Sequence, residues 1–142
     1  MSMMFEIAIN WNELQYDYLP CNSFPERLKK ARLLKGLSKA NLARLSHVSR
    51  ETIVALETGE RESVKKSTLL RLLNVLDENV LCDDYCYYIL DQENNIKELF
   101  SNYKINNLSK FLKTRVSVME HWTDSTYQVS RWQYELIKKL QD

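Results

Sequence analysis

From residue 24 onwards apolar residues recur along this chain at helical intervals, and the polar residues between them carry the start and stop signals of short helices. Ser23 and Glu26 stand in capping-box spacing with Pro25 in the first turn, and Phe24, Leu28, Ala31 and Leu34 form one apolar face. This predicts a helix from about 24 to 35, closed at Gly36. Ser38 caps a second helix over Lys39 to Ser46, with Leu42, Ala43 and Leu45 expected to face inward. His47 and Val48 make a tight turn, and Ser49 caps a third helix that carries Ile53 and Leu56 inward and stops at Gly59. Both glycines of the chain are therefore spent on helix ends, where a left-handed backbone is cheapest without a Cβ. Leu69, Leu70, Leu72, Leu73 and Leu76 predict a fourth helix, capped near Ser63 or Ser67, that covers the first three. One segment reads differently. Phe5, Ile7, Ile9 and Trp11 alternate with other residues at period two, the pattern of a short strand or arm over 1–22. Beyond 93 the helical spacing returns in Ile96, Leu99, Phe100 and Tyr103, in Leu108, Phe111 and Leu112, in Val118, Met119 and Trp122, and in Trp132, Leu136, Ile137 and Leu140.

Composition sharpens the class. With 44% hydrophobic and 27% charged residues, the 142-residue chain has the balance of one ordinary or two small globular domains. Only two glycines and two prolines leave little room for the tight turns of a sheet protein, so the class is all-α, with at most a short N-terminal strand. The net charge of +1 hides a division. Residues 23–76 hold twelve Lys+Arg against five Asp+Glu, and the remainder holds eight against fourteen. A basic module is thus flanked by acidic segments, an arrangement suited to a phosphate backbone. No run is apolar enough for a membrane span, and the N-terminus lacks the basic start and cleavage site of a signal peptide, so a soluble, cytoplasmic protein is expected, with no membrane partner. Cys21, Cys82 and Cys86 lack zinc-ribbon spacing and are expected as free thiols. Cys82 and Cys86, four apart, could join His121 as metal ligands but read better as one packed helix face. Two distant histidines, no nucleophile motif and no Gly-rich phosphate loop argue against an enzyme; no catalytic residue, cofactor or metal is expected.

The segment LSKANLARLSHVSRETIVALETG at 37–59 resembles the helix-turn-helix of the Cro and phage-repressor type, the xenobiotic response element family. The resemblance lies in Leu42 and Ala43 in the second helix, Val48 and Ser49 at the turn, Ile53 and Leu56 in the third helix, and Glu57, Thr58 and Gly59 at its end. TLLRLLNVL at 68–76 resembles the family's fourth helix, so the likeness covers about 23–76. It implies a four- to five-helix repressor-type domain, a transcriptional regulator, and double-stranded DNA as partner. In such a domain Arg50, Glu51, Thr52, Val54 and Ala55 would lie on the outer side of the third helix, where Arg50 could meet guanine, Glu51 cytosine, and Val54 or Ala55 a thymine methyl. Ser38, Lys39, Ser49, Arg61 and Lys66, near helix starts or the following loop, would hold phosphates. By the same resemblance Arg32 and Glu57 pair within the fold. Two residues depart from the pattern. The family commonly starts its second helix with Gln and has Gly in the turn, whereas this chain has Lys39, suited to a phosphate, and His47, which must tolerate the turn.

Residues 77–93 hold six acids and no base and mark a module boundary, giving an arm at 1–22, a DNA-binding domain at 23–82 and a helical domain at 83–142. Shifting the first motif by 66 positions puts Leu42 on Leu108, Leu45 on Phe111, Ile53 on Met119 and Leu56 on Trp122. KTRVSVMEHW at 113–122 therefore resembles a degenerate second turn and third helix, with Arg115 in place of the capping Ser and Ser125 in place of the terminal Gly. The competing reading is a plain helical dimerisation domain, with Val116, Val118 and Trp122 as the association patch of a homodimer on a two-fold operator. A rival for the whole chain is an antitoxin or anti-defence type protein, autoregulating through the first half and binding a protein partner with its C-terminal half, for which the acidic, tyrosine-rich 77–93 segment is the candidate surface.

Overall fold

The computed structural model describes residues 11–142, which are all-helical, with no strand among the described residues. The described residues divide into two compact units, one of 11–61 and Leu70–Leu81, the other of Glu62–Leu69 and Cys82–Asp142.

The first unit contains α1 (Trp11–Tyr16), α2 (Phe24–Leu34), α3 (Lys39–Ser46), α4 (Arg50–Thr58), the latter part of α5 (Lys66–Leu73) and α6 (Glu78–Leu81). Helix α2 is central, packing on α1, α4 and α6. Its start follows from Ser23, whose Oγ accepts the Glu26 N–H at 3.4 Å and donates to the Glu26 carboxylate at 3.0 Å. Its end is set by Gly36 at φ +70, where a Cβ would come within 2.8 Å of Asn12 Nδ2. Leu28 and Ala31 from α2, Leu42 from α3, and Ile53 and Leu56 from α4 are buried together in the core. Each large apolar side chain so buried contributes about 1.5 to 3 kcal/mol. Within the strand or arm expected over 1–22, residues 11–16 form α1; Phe5, Ile7 and Ile9, which carried the strand reading, lie outside the described residues. No strand is present among the described residues to share a ladder, so the backbone bonds locally, as in Asp17 N–H to Glu13 C=O at 2.9 Å. Leu45 also differs, being 42% exposed. The buried stripe of α3 runs through Leu42 and Ser46, because Ser46 can go inside: its Oγ donates to Leu42 C=O at 2.7 Å and accepts the Val48 N–H at 3.3 Å.

The second unit contains the start of α5 and the helices α7 (Asp84–Leu90), α8 (Gln92–Asn102), α9 (Ile105–Leu112), α10 (Val116–Glu120) and α11 (Arg131–Gln141). Residues 62–69, assigned from sequence to the 23–82 segment, group here through polar bonds: Gln128 Nε2 donates to Val64 C=O at 2.8 Å, and the Arg131 N–H donates to Ser63 Oγ at 3.1 Å. The core is apolar with glutamines set into it. Buried Gln92 donates to the carbonyls of Trp122 and Tyr127 at 3.0 and 2.9 Å and accepts the Val129 N–H at 2.9 Å, fixing the irregular stretch before α11. Gln133 completes a capping box with Ser130 and reaches Thr114 Oγ1 at 3.0 Å. Cys82 and Cys86 are both buried, and burial pushes the Cys86 thiol pKa far up, away from thiolate chemistry.

Several torsions and burial states between α9 and Ser125 recur at an offset of 66 from those between α3 and Gly59. Helix α9 ends as α3 does, in a left-handed residue, Lys113 at φ 51 for His47 at φ 62. Ser125 at φ 62 stands where Gly59 has φ 81. Leu108, Thr114, Met119 and Trp122 are buried at the positions of Leu42, Val48, Ile53 and Leu56, and Phe111 is exposed like Leu45. Helix α10 is shorter than α4, stopping at Glu120. Trp122 is fully buried, which removes it from the association patch expected with Val116 and Val118.

Candidate nucleic-acid interface

Three serines and one ion pair hold α3 and α4 in place. Ser38 Oγ accepts the Asn41 N–H at 3.0 Å at the start of α3, and Ser49 Oγ accepts the Thr52 N–H at 3.2 Å at the start of α4. Ser46 bonds inside the intervening turn, where His47 takes the left-handed conformation. Such a residue costs on the order of 1 kcal/mol without glycine, and the geometry around it makes it worthwhile: its N–H reaches Ala43 C=O at 3.0 Å, and its own C=O accepts from Arg71 Nη1 at 3.3 Å. The ion pair is Arg32 with Glu57. Arg32 Nε and Nη2 donate to the two carboxylate oxygens at 2.7 and 2.9 Å, and Nη1 donates to Leu37 C=O at 2.9 Å. The side chains are only 8% and 4% exposed. One guanidinium thus links α2, the turn before α3, and the last turn of α4, so the direction of α4 is fixed at its far end.

The residues singled out from sequence fall into three groups. Ser38, Ser49, Arg50 and Glu51 are exposed, with Lys39, Thr52 and Val54 half-buried, all on α3, α4 or their caps in the first unit. Arg61 is exposed just beyond Gly59, its N–H donating to Ala55 C=O at 3.2 Å. Ala55 does not share this face. It is 8% exposed and packs inside, so the outer surface of α4 is narrower than the sequence suggests, running through Arg50, Glu51, Val54 and Thr58. Lys66 groups apart from these residues by chain unit. It lies in the second unit, where its backbone N–H donates to Gln128 Oε1 at 2.8 Å.

Sequence reasoning overlooked Arg44 and Asn41, both exposed on α3. The signal was available: once Leu42 and Ser46 define the inner stripe, Arg44 falls on the opposite side. The acidic stretch 77–93 spends its apolar residues inside its own fold, with Tyr85, Cys86 and Ile89 buried and Tyr87 exposed.

What the geometry can do is bounded by its donors. A helix presenting Arg50 and Glu51 in its first turn, with Val54 one turn on, offers a bidentate donor, an acceptor and an apolar contact to the edges of base pairs. Around it stand two capped helix starts and the cations Lys39, Arg44 and Arg61, suited to phosphate oxygens. Among the described residues no helix is long and apolar enough to cross a membrane. Comparison with known proteins agrees with this reading over part of the chain: residues 28–80 match the helix-turn-helix family model. No curated protein and no solved structure matches the chain. The matched span contains the whole of α3, the His47 turn and α4, and over this part of its length the chain is similar to the helix-turn-helix family.

Proposed function

We propose that the chain is a sequence-specific transcriptional repressor that reads the major groove of double-stranded DNA with α4. The observation that carries this is the anchored α4, clamped by Arg32 and Glu57 at one end and capped by Ser49 at the other, with Arg50, Glu51 and Val54 turned outward. Base reading belongs to Arg50, Glu51 and Val54, with Thr52 at the edge of that face. Phosphate holding belongs to Ser38, Lys39, Ser49, Arg44 and Arg61. A single module of this size buries roughly 600 to 1,000 Å² of protein surface on a duplex, at the low end for specific recognition, so the chain acts as a homodimer on two half-sites about 34 Å apart. The likeness of 105–125 to 39–59 supports reading α9 and α10 as a degenerate second helix-turn-helix.

Selection of bound duplexes from a random pool, followed by salt titration, tests the reading. Arg50→Ala relaxes preference at one base position by about 1 to 3 kcal/mol. Lys39→Ala weakens all sequences alike and lowers the salt slope by about 0.9. Absence of duplex binding by the unaltered chain at low salt overturns the proposal.

A further inference from the structure

Where the first unit caps its two helices with serines, the second uses cations. Lys104 stands at the position of Ser38 and Arg115 at that of Ser49, and neither side chain makes a capping hydrogen bond. Serine, threonine, aspartate or asparagine would stabilise a helix start, and a cation is disfavoured there by the partial positive charge of the free N–H groups. These two residues are thus poor choices for folding. Lys110 stands where α3 has Arg44, so an exposed cation recurs on the outer side of both helices. From 104 to 119 the chain has four bases, Lys104, Lys110, Lys113 and Arg115, and no acid. All four are exposed, and none forms an ion pair among the described residues. Four exposed cations with no acid between them suit a polyanion.

The reading face is a poor match to bases. At the positions of Arg50, Glu51 and Val54 the second copy has Val116, Ser117 and Glu120, with His121 at that of the buried Ala55. None supplies the bidentate donor that Arg50 offers on α4, the commonest specific contact to a base. His121 is also engaged, its Nδ1 lying 3.3 Å from Asp124 Oδ2 and its ring edge-on to Tyr127 at 5.4 Å.

We propose that the α9–α10 segment is a second duplex-binding surface that grips phosphates through Lys104, Lys110 and Arg115 and reads no sequence. The inference rests on the reading of the chain as a DNA-binding regulator. The grip adds affinity to every duplex equally and leaves preference to α4.

The test uses the full chain with Lys104, Lys110 and Arg115 all replaced by Ala; Lys113 is left alone because its backbone is left-handed. Binding to the selected duplex and to an unrelated duplex is measured from 50 to 200 mM salt, with sedimentation to follow oligomeric state. At about 0.9 per contact, the triple variant has a salt slope lower by about 2.7, so it loses about 40-fold less affinity than the parent over that range. Both duplexes weaken by the same factor at low salt, and Lys97→Ala with Lys139→Ala, exposed cations elsewhere in the unit, leaves the slope in place. A triple-variant slope no different from that pair, with the parent still bound and Arg50→Ala still relaxing preference, overturns this inference and spares the α4 reading. A changed oligomeric state with an unchanged slope also overturns it, making the face a protein interface. No duplex binding by the parent overturns both.

Discussion

Arg32 has three donors placed on three acceptors, and none of them faces water to any extent, so its removal strands a carboxylate inside the protein. Breaking one side of a buried pair costs about 3 to 5 kcal/mol, far more than the pair contributes against an apolar replacement. Arg32→Ala is expected to fall in that range in urea unfolding, while joint replacement of Arg32 and Glu57 by apolar residues recovers much of the loss. A result below about 1 kcal/mol for Arg32→Ala would mean that the pair is solvated in solution. Asp83 makes a milder case in the second unit. Burial raises its pKa, but the Cys86 N–H at 3.0 Å and Arg131 at 2.8 Å outweigh it, and the net value lies below the ordinary 3.8. A carboxylate depressed in the folded state stabilises above its unfolded pKa, and the stabilisation is lost as pH falls through the folded one. Asp83→Asn is therefore expected to be less stable than the parent at pH 7, by a gap that narrows as pH falls below 3.8, read through the fluorescence of buried Trp122.

At the scale of elements, the turn between α3 and α4 is the most constrained piece of backbone, and its residue is not the one the conformation favours. His47→Gly removes the Cβ conflict at φ 62 while loosening the unfolded chain, and the expected net effect is a gain of up to about 1 kcal/mol with duplex binding unchanged. Reduced stability would show that the imidazole contributes packing the turn needs. The same elements show what the sequence makes legible. The limits of α3 and α4 could be read in advance because Ser38, Ser49 and Gly59 act locally, through bonds or torsions within four residues. The Arg32–Glu57 pair, 25 positions apart, was visible only through family likeness. Leu45 and Ala55 went the other way: a helical wheel ranks residues by hydrophobicity, whereas burial on α3 is decided by Ser46 satisfying its own hydroxyl and on α4 by the approach of α2 and α3. Helix α1 was missed because it is only six residues long and follows an alternation, Phe5 to Trp11, that lies outside the described residues except for Trp11.

Over the whole molecule, charge is sorted by segment. A net charge of +1 would make the chain indifferent to a polyanion if it were spread evenly. Twelve bases against five acids in 23–76, and four bases with no acid in 104–119, give it two local basic fields, while the acids collect in between. The path of the backbone carries a different implication. Residues 62–69 belong to the second unit although 70–81 return to the first, so neither unit is one uninterrupted stretch of chain. A gene fragment cut at 81 encodes Ser63 and Val64 without Arg131 and Gln128, and one begun at 82 encodes those partners without them. Neither product of such a cut keeps these two bonds, so a chain divided at 81 holds them only when both halves are present.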